Sequence, residues 1–274
     1  MTIQEAINFG RNKLHLLERP ILESEILLAF VLNKPRIYLH SHSFETINPF
    51  HQEYFKRLIL RRESFEPIEY ILEKVSFYHQ EFYISKGALI PRPETEILVD
   101  MASHIIQSKN CQNIAEIGVG SGIISITLAL LHKSKPLEFH ASDISPEALF
   151  NAYVNTKKFN CSNITLYNSA FLDFNSYKHF DLLLSNPPYI QNKTILSKPL
   201  SFEPQQALFG GDRGDEILHK IIAIAKVRNI PYVICEMGHN QRNSILAFTK
   251  NLSVKTLEFY QDLSGLDRGF IIEF

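Results

Sequence analysis

The sequence has few cysteines and no pattern that would use them. Its three cysteines, Cys111, Cys161 and Cys235, form no CxxC pair, which argues against a disulfide framework and against a zinc knuckle. An odd number of scattered thiols fits a protein kept in the reducing cytoplasm. The histidines also lack partners at metal-ligand spacing, so no metal site is expected.

Long apolar runs and an excess of either charge are missing as well. The longest apolar run, Ile26 to Leu32, is too short to cross a bilayer, and the opening MTIQE lacks the basic and apolar regions of a secretion signal. We therefore expect no membrane association and no export. The 28 Lys and Arg residues are balanced by 29 Asp and Glu residues, which argues against a stable nucleic-acid partner held through its phosphates.

Glycine is absent between Gly10 and Gly87, and up to about residue 72 the apolar residues recur at helical spacing. Four prolines, at positions 20, 35, 49 and 67, stand where new helices would begin. This pattern predicts a small N-terminal helical bundle over residues 1–74. The aromatic and β-branched stretch VSFYHQEFYI then predicts a hairpin, and residues 75–92 are interpreted as a hairpin linker to a second domain, residues 93–274.

Beyond the linker the pattern alternates between helices and strands. The predicted helices cover residues 94–107, 121–131, 146–159 and 215–226, and the predicted strands cover residues 113–117, 137–142, 164–167, 180–184 and 232–236. Such alternation is typical of an α/β fold with a mostly parallel sheet covered by helices on both faces. Two further candidate strands, near 252–260 and 270–274, would add an antiparallel hairpin at one edge.

A glycine-rich turn follows the first strand of this sheet, in the stretch IAEIGVGSG at residues 114–122. Glycines at a strand–helix turn let the chain bend sharply and let a ligand approach the backbone closely. This turn is therefore a candidate cofactor site, whose residues are Glu116, Gly118, Val119, Gly120, Ser121 and Gly122.

The next strand ends in Asp143 and Ile144, and an acid at this position can accept hydrogen bonds from both hydroxyls of a ribose. Ser145, directly before Pro146, supplies the cap of the following helix, so we expect Asp143 to be free for a ligand. NAD sites and S-adenosylmethionine sites both use such an acid. Glu116 would repel the pyrophosphate of NAD but would attract the ammonium of a methionyl group, so S-adenosylmethionine fits the charges better.

The stretch SNPPYI, residues 185–190, comes directly after an apolar strand. Pro187 and Pro188 have no N–H, so the Asn186 side-chain oxygen and the Pro187 carbonyl remain available as acceptors for a planar NH2 group. The Tyr189 ring can pack on such a group. Asn-Pro-Pro is also an ordinary turn sequence, but the glycine turn and Asp143 in the same sheet favour a site.

Together these motifs closely resemble the HemK/PrmC family of protein-glutamine N5-methyltransferases, which modify the glutamine of the Gly-Gly-Gln motif in peptide chain release factors. The resemblance covers nearly the whole chain. The matching residues are LIPRPETE at 89–96, the turn at 116–122, Asp143, SNPPYI at 185–190, Phe202-Glu203-Pro204 with Ala207-Leu208, and Glu236.

The resemblance implies a Rossmann-like class I methyltransferase fold that uses S-adenosyl-L-methionine. It implies that the glycine turn, Asp143 and Phe171 line the cofactor, and that Asn186, Pro187, Pro188 and Tyr189 hold the target amide. It also implies that the N-terminal helical bundle binds the release factor. One departure is Ala170, which stands where relatives usually carry an acid able to contact the adenine amine; here the adenine would rely on a backbone carbonyl and on Phe171.

Arg92, Glu94 and the stretch Phe202-Glu203-Pro204 are further candidates for a substrate loop. Arg92 and Glu94 either pin the linker to the catalytic domain or support the substrate loop. Phe202, Glu203 and Pro204 are expected in a mobile loop over the glutamine, because Gly210-Gly211 and Gly214 nearby would permit hinging.

Other functions remain open at this stage. NPPY is shared with methyltransferases that act on an exocyclic amine of a nucleic-acid base, such as adenine N6. The balanced charge and the small size of the N-terminal helical bundle disfavour this function. A nucleotide-binding module without catalysis would have no use for Asn186 and Tyr189. Since each chain carries one complete set of candidate residues, a monomer is sufficient.

Overall fold

The computed structural model describes residues 1–174 and 179–274. The chain forms two compact units, Met1–Lys74 with Ser197–Phe202, and Val75–Leu196 with Glu203–Phe274. Each unit has a hydrophobic core of its own, so the two are described separately.

The first unit is helical, as the apolar spacing predicts. Its helices are α1 (Ile3–Lys13), α2 (Pro20–Leu32), α3 (Arg36–Ser41), α4 (Pro49–Glu63) and α5 (Ile68–Leu72). Thr2 and Glu5 form a capping box at the start of α1. The four prolines take the first position of α2 and α4 and the position before α3 and α5, where a missing N–H costs nothing. The predicted bundle is confirmed.

A two-stranded hairpin begins the second unit, formed by β1 (Lys74–Phe77) and β2 (Gln80–Tyr83). Its two turn residues, Tyr78 and His79, both have left-handed φ angles, 48° and 60°, as a tight two-residue hairpin turn requires. Phe77 and Phe82 are fully buried in the core, which offsets the strain of that turn. The predicted hairpin is confirmed.

The rest of the second unit is an α/β layer structure. Its helices are α6 (Thr95–Ser108), α7 (Ile123–Leu131), α8 (Pro146–Lys158), α9 (Glu216–Val227) and α10 (Arg242–Thr249), and its strands are β3 (Asn113–Ile117), β4 (Glu138–Asp143), β5 (Ile164–Asn168), β6 (Leu182–Ser185), β7 (Ile190–Gln191), β8 (Phe209–Gly211), β9 (Tyr232–Glu236), β10 (Thr256–Gln261) and β11 (Asp267–Glu273). Two 3-10 helices cover Leu200–Phe202, which belongs to the first unit, and Gln205–Ala207.

Seven of these strands form one sheet, in the order β10-β11-β9-β6-β3-β4-β5. The five strands from β9 to β5 are parallel, whereas β11 runs antiparallel to both β9 and β10. This confirms the Rossmann-like sheet with its antiparallel C-terminal edge. The chain order reverses between β3 and β6, and open sheets of this kind bind ligands at such a reversal.

Apolar runs place these strands in the middle of the sheet. Along β6, Leu182 and Leu184 face one core and Leu183 faces the other, and all three are fully buried. Burial of each leucine stabilises the fold by about 2 kcal/mol. A strand covered on both faces needs a continuous apolar run rather than an alternating one, which is why β6 is legible in the sequence.

Within residues 1–174 and 179–274, none of the helices combines the length and the apolar content that a membrane span requires. No group of three or more His, Cys, Asp or Glu side chains in those residues is arranged to hold a metal ion. The three cysteines are buried and unpaired.

Candidate active site

The register of the sheet brings the sequence motifs together. Ile117, Ser142, Ser185 and Cys235 lie in one row across four neighbouring parallel strands. The residues that follow them in the chain therefore leave the same edge of the sheet side by side. These residues are Gly118, Asp143, Asn186 and Glu236, which are up to 118 positions apart in the sequence.

A cavity of about 450 Å³ opens at this edge. Most of the predicted site residues line it: Glu116, Gly118, Val119, Gly120, Ser121, Asp143, Ile144, Phe171, Asn186, Pro187 and Pro188. The other predicted residues do not form part of its wall, namely Gly122, Tyr189, Arg92, Glu94, Phe202, Glu203 and Pro204. The glycine turn and SNPPYI thus face one space, as the sequence predicts.

The glycine turn is built for close approach. Gly118, Gly120 and Gly122 have φ angles of 74°, 55° and 83°, a region that other residues adopt only with strain. A Cβ atom at Gly118 or Gly120 would meet no atom within 4 Å, whereas one at Gly122 would lie 3.0 Å from the Ile126 side chain. The first two glycines therefore face open space, and the third allows the helix to pack.

Asp143 accepts two local hydrogen bonds that the sequence does not predict. Its Oδ2 accepts from the Gly120 N–H (2.9 Å) and its Oδ1 accepts from the Ser145 N–H (2.9 Å). Ser145 does cap α8, through the Ala148 N–H, but a cap on the next helix does not release the acid from neighbouring amides. Each carboxylate oxygen has a second lone pair, and the residue lines the cavity, so Asp143 both braces the glycine turn and can still accept from a ligand.

Glu116 is a buried carboxylate that lines the cavity and is 1% exposed. Its Oε2 accepts from the N–H and the hydroxyl of Ser125. Its Oε1 has no hydrogen-bond partner among the described residues. Burial raises the pKa of Glu116 to about 8, although the bonds from Ser125 lower it. A buried acceptor without a donor costs about 1–3 kcal/mol, so this oxygen suits a ligand that brings an N–H group.

Asn186 is held by a hydrogen bond to α6. Its Nδ2 donates to Thr95 Oγ1 (3.1 Å), and that hydroxyl donates to Glu236 Oε2 (2.7 Å). No described residue donates to Asn186 Oδ1 or to the Pro187 carbonyl. Both residues line the cavity, so the two acceptors that the sequence predicts remain available there.

Tyr189 has a different environment from the one its motif suggests. Its hydroxyl donates to Glu236 Oε1 (3.3 Å). Burial raises the pKa of Tyr189, and the neighbouring Glu236 carboxylate raises it further, so the phenol stays protonated. Packing of its ring on a target group stays a prediction.

Phe171 and Ala170 form the wall on the Asp143 side of the cavity. Phe171 has a φ angle of 50°, which is unusual for a bulky residue. The Ser142 hydroxyl donates to its carbonyl (2.5 Å) and so holds this strained turn beside the sheet edge. Ala170 offers no side-chain acceptor, so the wall here can bind through backbone atoms and the Phe171 ring.

The segment around Glu203 is held by several contacts, and its predicted mobility stays a prediction. Glu203 is 5% exposed, and its carboxylate accepts from the Ile90 N–H (3.0 Å) and from Arg92 (2.5 Å). Pro204 begins the 3-10 helix Gln205–Ala207, and Phe202 lies in the first unit. The Arg92–Glu203 pair supports the linker-pinning role for Arg92.

The glycines near this loop allow close packing. A Cβ atom at Gly210 would clash with the Pro188 carbonyl oxygen, and one at Gly214 would lie 2.5 Å from that of Tyr189. Gly210 lies in β8, which pairs with β7 at the end of SNPPYI. These glycines therefore brace the Pro-Pro segment. Glu94 lies at the start of α6, with its carboxylate 3.8 Å from Arg268.

Removal of the Arg92 side chain tests the pinning role. Arg92→Ala is expected to lower the free energy of unfolding by about 2 kcal/mol, because Glu203 would keep its buried charge and lose its partner. Urea unfolding measures this. The matched control is Lys255→Ala, which breaks an exposed pair with Glu273 and should cost less than about 0.5 kcal/mol. Equal effects of the two substitutions would contradict a structural role for the Arg92–Glu203 pair.

Sequence reasoning missed part of the cavity wall and one buried partner. Gly87, Leu89 and Pro91 line the cavity from the linker, and Gln206, Phe209 and Lys220 line it from the other side. Leu89 and Pro91 belong to the matching stretch at 89–96, but no local pattern marks Gly87, Gln206, Phe209 or Lys220, because these residues reach the cavity only through the fold. The family resemblance includes Glu236 but assigns it no role. The sequence signal for a role is that Glu236 is an acid at the end of a predicted parallel strand, as Asp143 is.

Comparison with known proteins identifies the family. A family profile described as the PrmC N-terminal domain matches residues 5–72, and one described as the methyltransferase small domain matches residues 94–200. A release factor glutamine methyltransferase of Dictyoglomus turgidum is 38% identical over 254 residues, which cover 90% of this chain and 89% of that protein. The chain belongs to the release factor glutamine methyltransferase family.

Other relatives extend this match over the full sequence. A release factor glutamine methyltransferase of Buchnera aphidicola is 33% identical and covers 98% of this chain and 97% of its own. A bifunctional methyltransferase of Rickettsia typhi is 33% identical and covers 97% of this chain but 56% of its own length. The family membership therefore applies to both units of the chain.

Solved structures agree at the level of the fold. The hMettl16 catalytic domain in complex with a MAT2A 3′UTR hairpin has a TM-score of 0.60, 13% identity, and covers 90% of this chain and 91% of its own. The human methyltransferase 10 domain containing protein has a TM-score of 0.51 and 16% identity, and covers 70% of this chain and 89% of its own. At this identity the likeness shows a shared methyltransferase fold and nothing finer.

Proposed function

We propose that this chain transfers a methyl group from S-adenosyl-L-methionine to the side-chain amide nitrogen of the glutamine in the Gly-Gly-Gln motif of peptide chain release factors. The observation that carries this proposal is the pair of available acceptors, Asn186 Oδ1 and the Pro187 carbonyl, in the wall of the same cavity as the glycine turn and Asp143. The names of the curated relatives support the choice of substrate.

The cavity residues fit the cofactor by their chemistry. The unpaired Oε1 of Glu116 suits the ammonium of the methionyl group. The open space beside Gly118 and Gly120 lets the cofactor approach the protein backbone closely. The remaining lone pairs of Asp143 suit the ribose hydroxyls. Ile144 and Phe171 supply apolar surface for the adenine. A volume of about 450 Å³ lies within the range of pockets that hold ligands of this size.

When bound, S-adenosylmethionine supplies a methyl group on a positively charged sulfur that leaves as a neutral thioether. An amide nitrogen is a weak nucleophile because its lone pair is delocalised. Asn186 Oδ1 and the Pro187 carbonyl would accept from its two N–H groups, and these bonds strengthen as the nitrogen gains positive charge. Once the N–CH3 bond has formed, the nitrogen would lose one of its two protons to water, which leaves a neutral methylated amide. Pro187 and Pro188 fix the backbone around both acceptors, so orientation is built in before the substrate arrives.

Each part of the chain has a proposed role. The helical residues 1–74 are proposed to bind the release factor, and residues 75–92 are proposed to link them to the catalytic domain, residues 93–274. Translation factors act in the cytoplasm, which sets the proposed location of this enzyme. The residues that line the cavity all come from one chain, so a monomer is proposed to be active, with the release factor as its protein partner and without a stable nucleic-acid partner.

Mass spectrometry of a release factor incubated with this protein and S-adenosylmethionine tests the substrate. The expected result is a mass gain of one CH2 on the Gly-Gly-Gln glutamine. A release factor with Gln replaced by Asn in that motif is the matched control and should gain nothing. Methylation of adenine in a nucleic acid, with none on the release factor, would overturn the proposal.

The raised pKa of Glu116 predicts a pH-dependent affinity for the cofactor. Below a pKa of about 8 the carboxyl is mostly neutral, and above it the carboxylate is ionised and attracts an ammonium. The Kd of S-adenosylhomocysteine, measured by calorimetry, is therefore expected to fall roughly tenfold from about pH 6.5 to about pH 8.5. Glu116→Gln should remove this dependence. A pH-independent Kd in the unsubstituted protein would contradict the role of Glu116.

A further inference from the structure

Glu236 is a buried carboxylate that the proposed chemistry does not use. It is 2% exposed and stands at the end of β9, next to the strand that leads into SNPPYI. Both of its oxygens accept hydrogen bonds, Oε2 from Thr95 and Oε1 from Tyr189. Because a buried charge is costly even when it is hydrogen-bonded, its position directly behind the acceptor residues calls for a physical reason.

The bonds around Thr95 fix the orientation of the Asn186 carboxamide. An ionised carboxylate only accepts, so the single proton of the Thr95 hydroxyl goes to Glu236. Thr95 Oγ1 can then act only as an acceptor toward Asn186, and only the NH2 end of the carboxamide can face it. The carbonyl end, Oδ1, is turned away from Thr95.

Both oxygens of Glu236 accept from hydroxyl groups, which is the role of an ionised carboxylate. Burial, and to a lesser extent Glu94, raises the pKa of Glu236 above its ordinary value, and the hydroxyls of Thr95 and Tyr189 and the guanidinium of Arg268 oppose this rise. Thr95 is completely buried, so water does not compete for its hydroxyl. The chain of bonds from Glu236 through Thr95 to Asn186 therefore has one direction.

We propose that Glu236 and Thr95 are positioning residues that hold Asn186 with its oxygen toward the substrate amide. This inference rests on the proposed function, because a reversed carboxamide would present an NH2 group to an NH2 substrate. Two donors facing each other cannot bond. The same carboxylate also anchors Tyr189, so one buried charge orients two residues of SNPPYI.

The sharpest test substitutes Thr95 and Glu236 and measures steady-state methylation of a release factor. Thr95→Val keeps the shape and removes the hydroxyl, so kcat should fall on the order of tenfold, with the KM for the release factor and the Kd for S-adenosylhomocysteine nearly unchanged. Thr95→Ser keeps the hydroxyl and should retain near-normal kcat. Glu236→Gln can donate to Thr95 and so reverse the chain of bonds, which should lower kcat on the order of 100-fold.

The matched control is Thr249→Val, which removes another buried threonine hydroxyl, one that donates to the Ile245 carbonyl in α10. It should leave kcat unchanged. Should Thr95→Val and Glu236→Gln both have normal kcat, the positioning role is overturned. A similar loss in KM and in cofactor affinity, or an equally inactive Thr95→Ser, would instead indicate general damage to the site and would also overturn it.

A second readout separates this inference from the proposed function. Failure of the unsubstituted protein to methylate any release factor would refute the function alone. Hydrogen exchange of the Asn186 side-chain NH2, followed by NMR, still judges the orientation. Exchange should be slow in the unsubstituted protein and in Thr95→Ser, and faster in Thr95→Val. Equal exchange in all three would overturn the inference.

Discussion

Asn186→Ala is expected to lower the rate of glutamine methylation on the order of 100-fold, because it removes one of two acceptors that strengthen in the transition state. Its effect should fall on kcat. Asn186 has its hydrogen bond to Thr95 rather than to the glycine turn or Asp143, so the Kd of S-adenosylhomocysteine should change by less than about threefold. Single-turnover methylation and calorimetry measure the two quantities separately.

The control for this prediction is Asn192→Ala. Asn192 directly follows β7 and is exposed. Its side chain donates to Asp212, and neither residue lines the cavity. This variant should methylate at the normal rate. A large loss of cofactor affinity in Asn186→Ala, with little change in kcat, would contradict the division of labour between SNPPYI and the glycine turn.

Asp143→Ala is expected to have the opposite profile, with a loss of cofactor affinity on the order of 100-fold. A carboxylate that accepts from two hydroxyls contributes about 1.5–3 kcal/mol per charged hydrogen bond. The substitution also frees the Gly120 and Ser145 N–H groups that this acid holds. Calorimetric titration with S-adenosylhomocysteine measures the change, and saturating cofactor should restore much of the rate.

Asp212→Ala is the matched control, because Asp212 is an exposed acid of the same unit that does not line the cavity. Its affinity for the cofactor should be normal. A normal Kd in Asp143→Ala would show that the acid only braces the glycine turn. Thermal unfolding of both variants separates lost binding from a lost fold.

The local sequence predicts the parallel sheet well, because its strands are short apolar runs bounded by turn residues. β3 and β9 occupy the predicted residues 113–117 and 232–236. Both are buried over most of their length, so neither alternation nor a partner strand is needed to recognise them. The four prolines that begin the helices of the first unit are legible for a similar reason, since proline has few places in a helix.

Elements with few buried apolar residues cannot be predicted from the sequence in this way. α10, at Arg242–Thr249, has Ile245 and Thr249 as its buried residues and lacks a side-chain cap, so no pattern predicts it. β7 and β8 are two and three residues long. They depend on Gly210 and Gly214 fitting against backbone oxygens, which is a tertiary property.

Some features of the candidate site are predictable from the local sequence, and others depend on tertiary contacts. Residue types and spacing predict the glycine turn, Asp143 and Asn186, because each stands at the end of a predicted strand. The bonds of Asp143 to Gly120 and of Asn186 to Thr95 are not predictable from local sequence. The second of these joins residues 91 positions apart, and the Thr95–Glu236 bond spans 141 positions. Such contacts follow from strand order, which the sequence does not state.

The most direct test is a crystal structure of this protein with S-adenosylhomocysteine and a peptide that contains Gly-Gly-Gln. The account predicts that the glutamine NH2 lies about 3 Å from both Asn186 Oδ1 and the Pro187 carbonyl, with the cofactor sulfur in the same cavity. A glutamine bound elsewhere, or an Asn186 oxygen turned toward Thr95 and away from the amide, would contradict it.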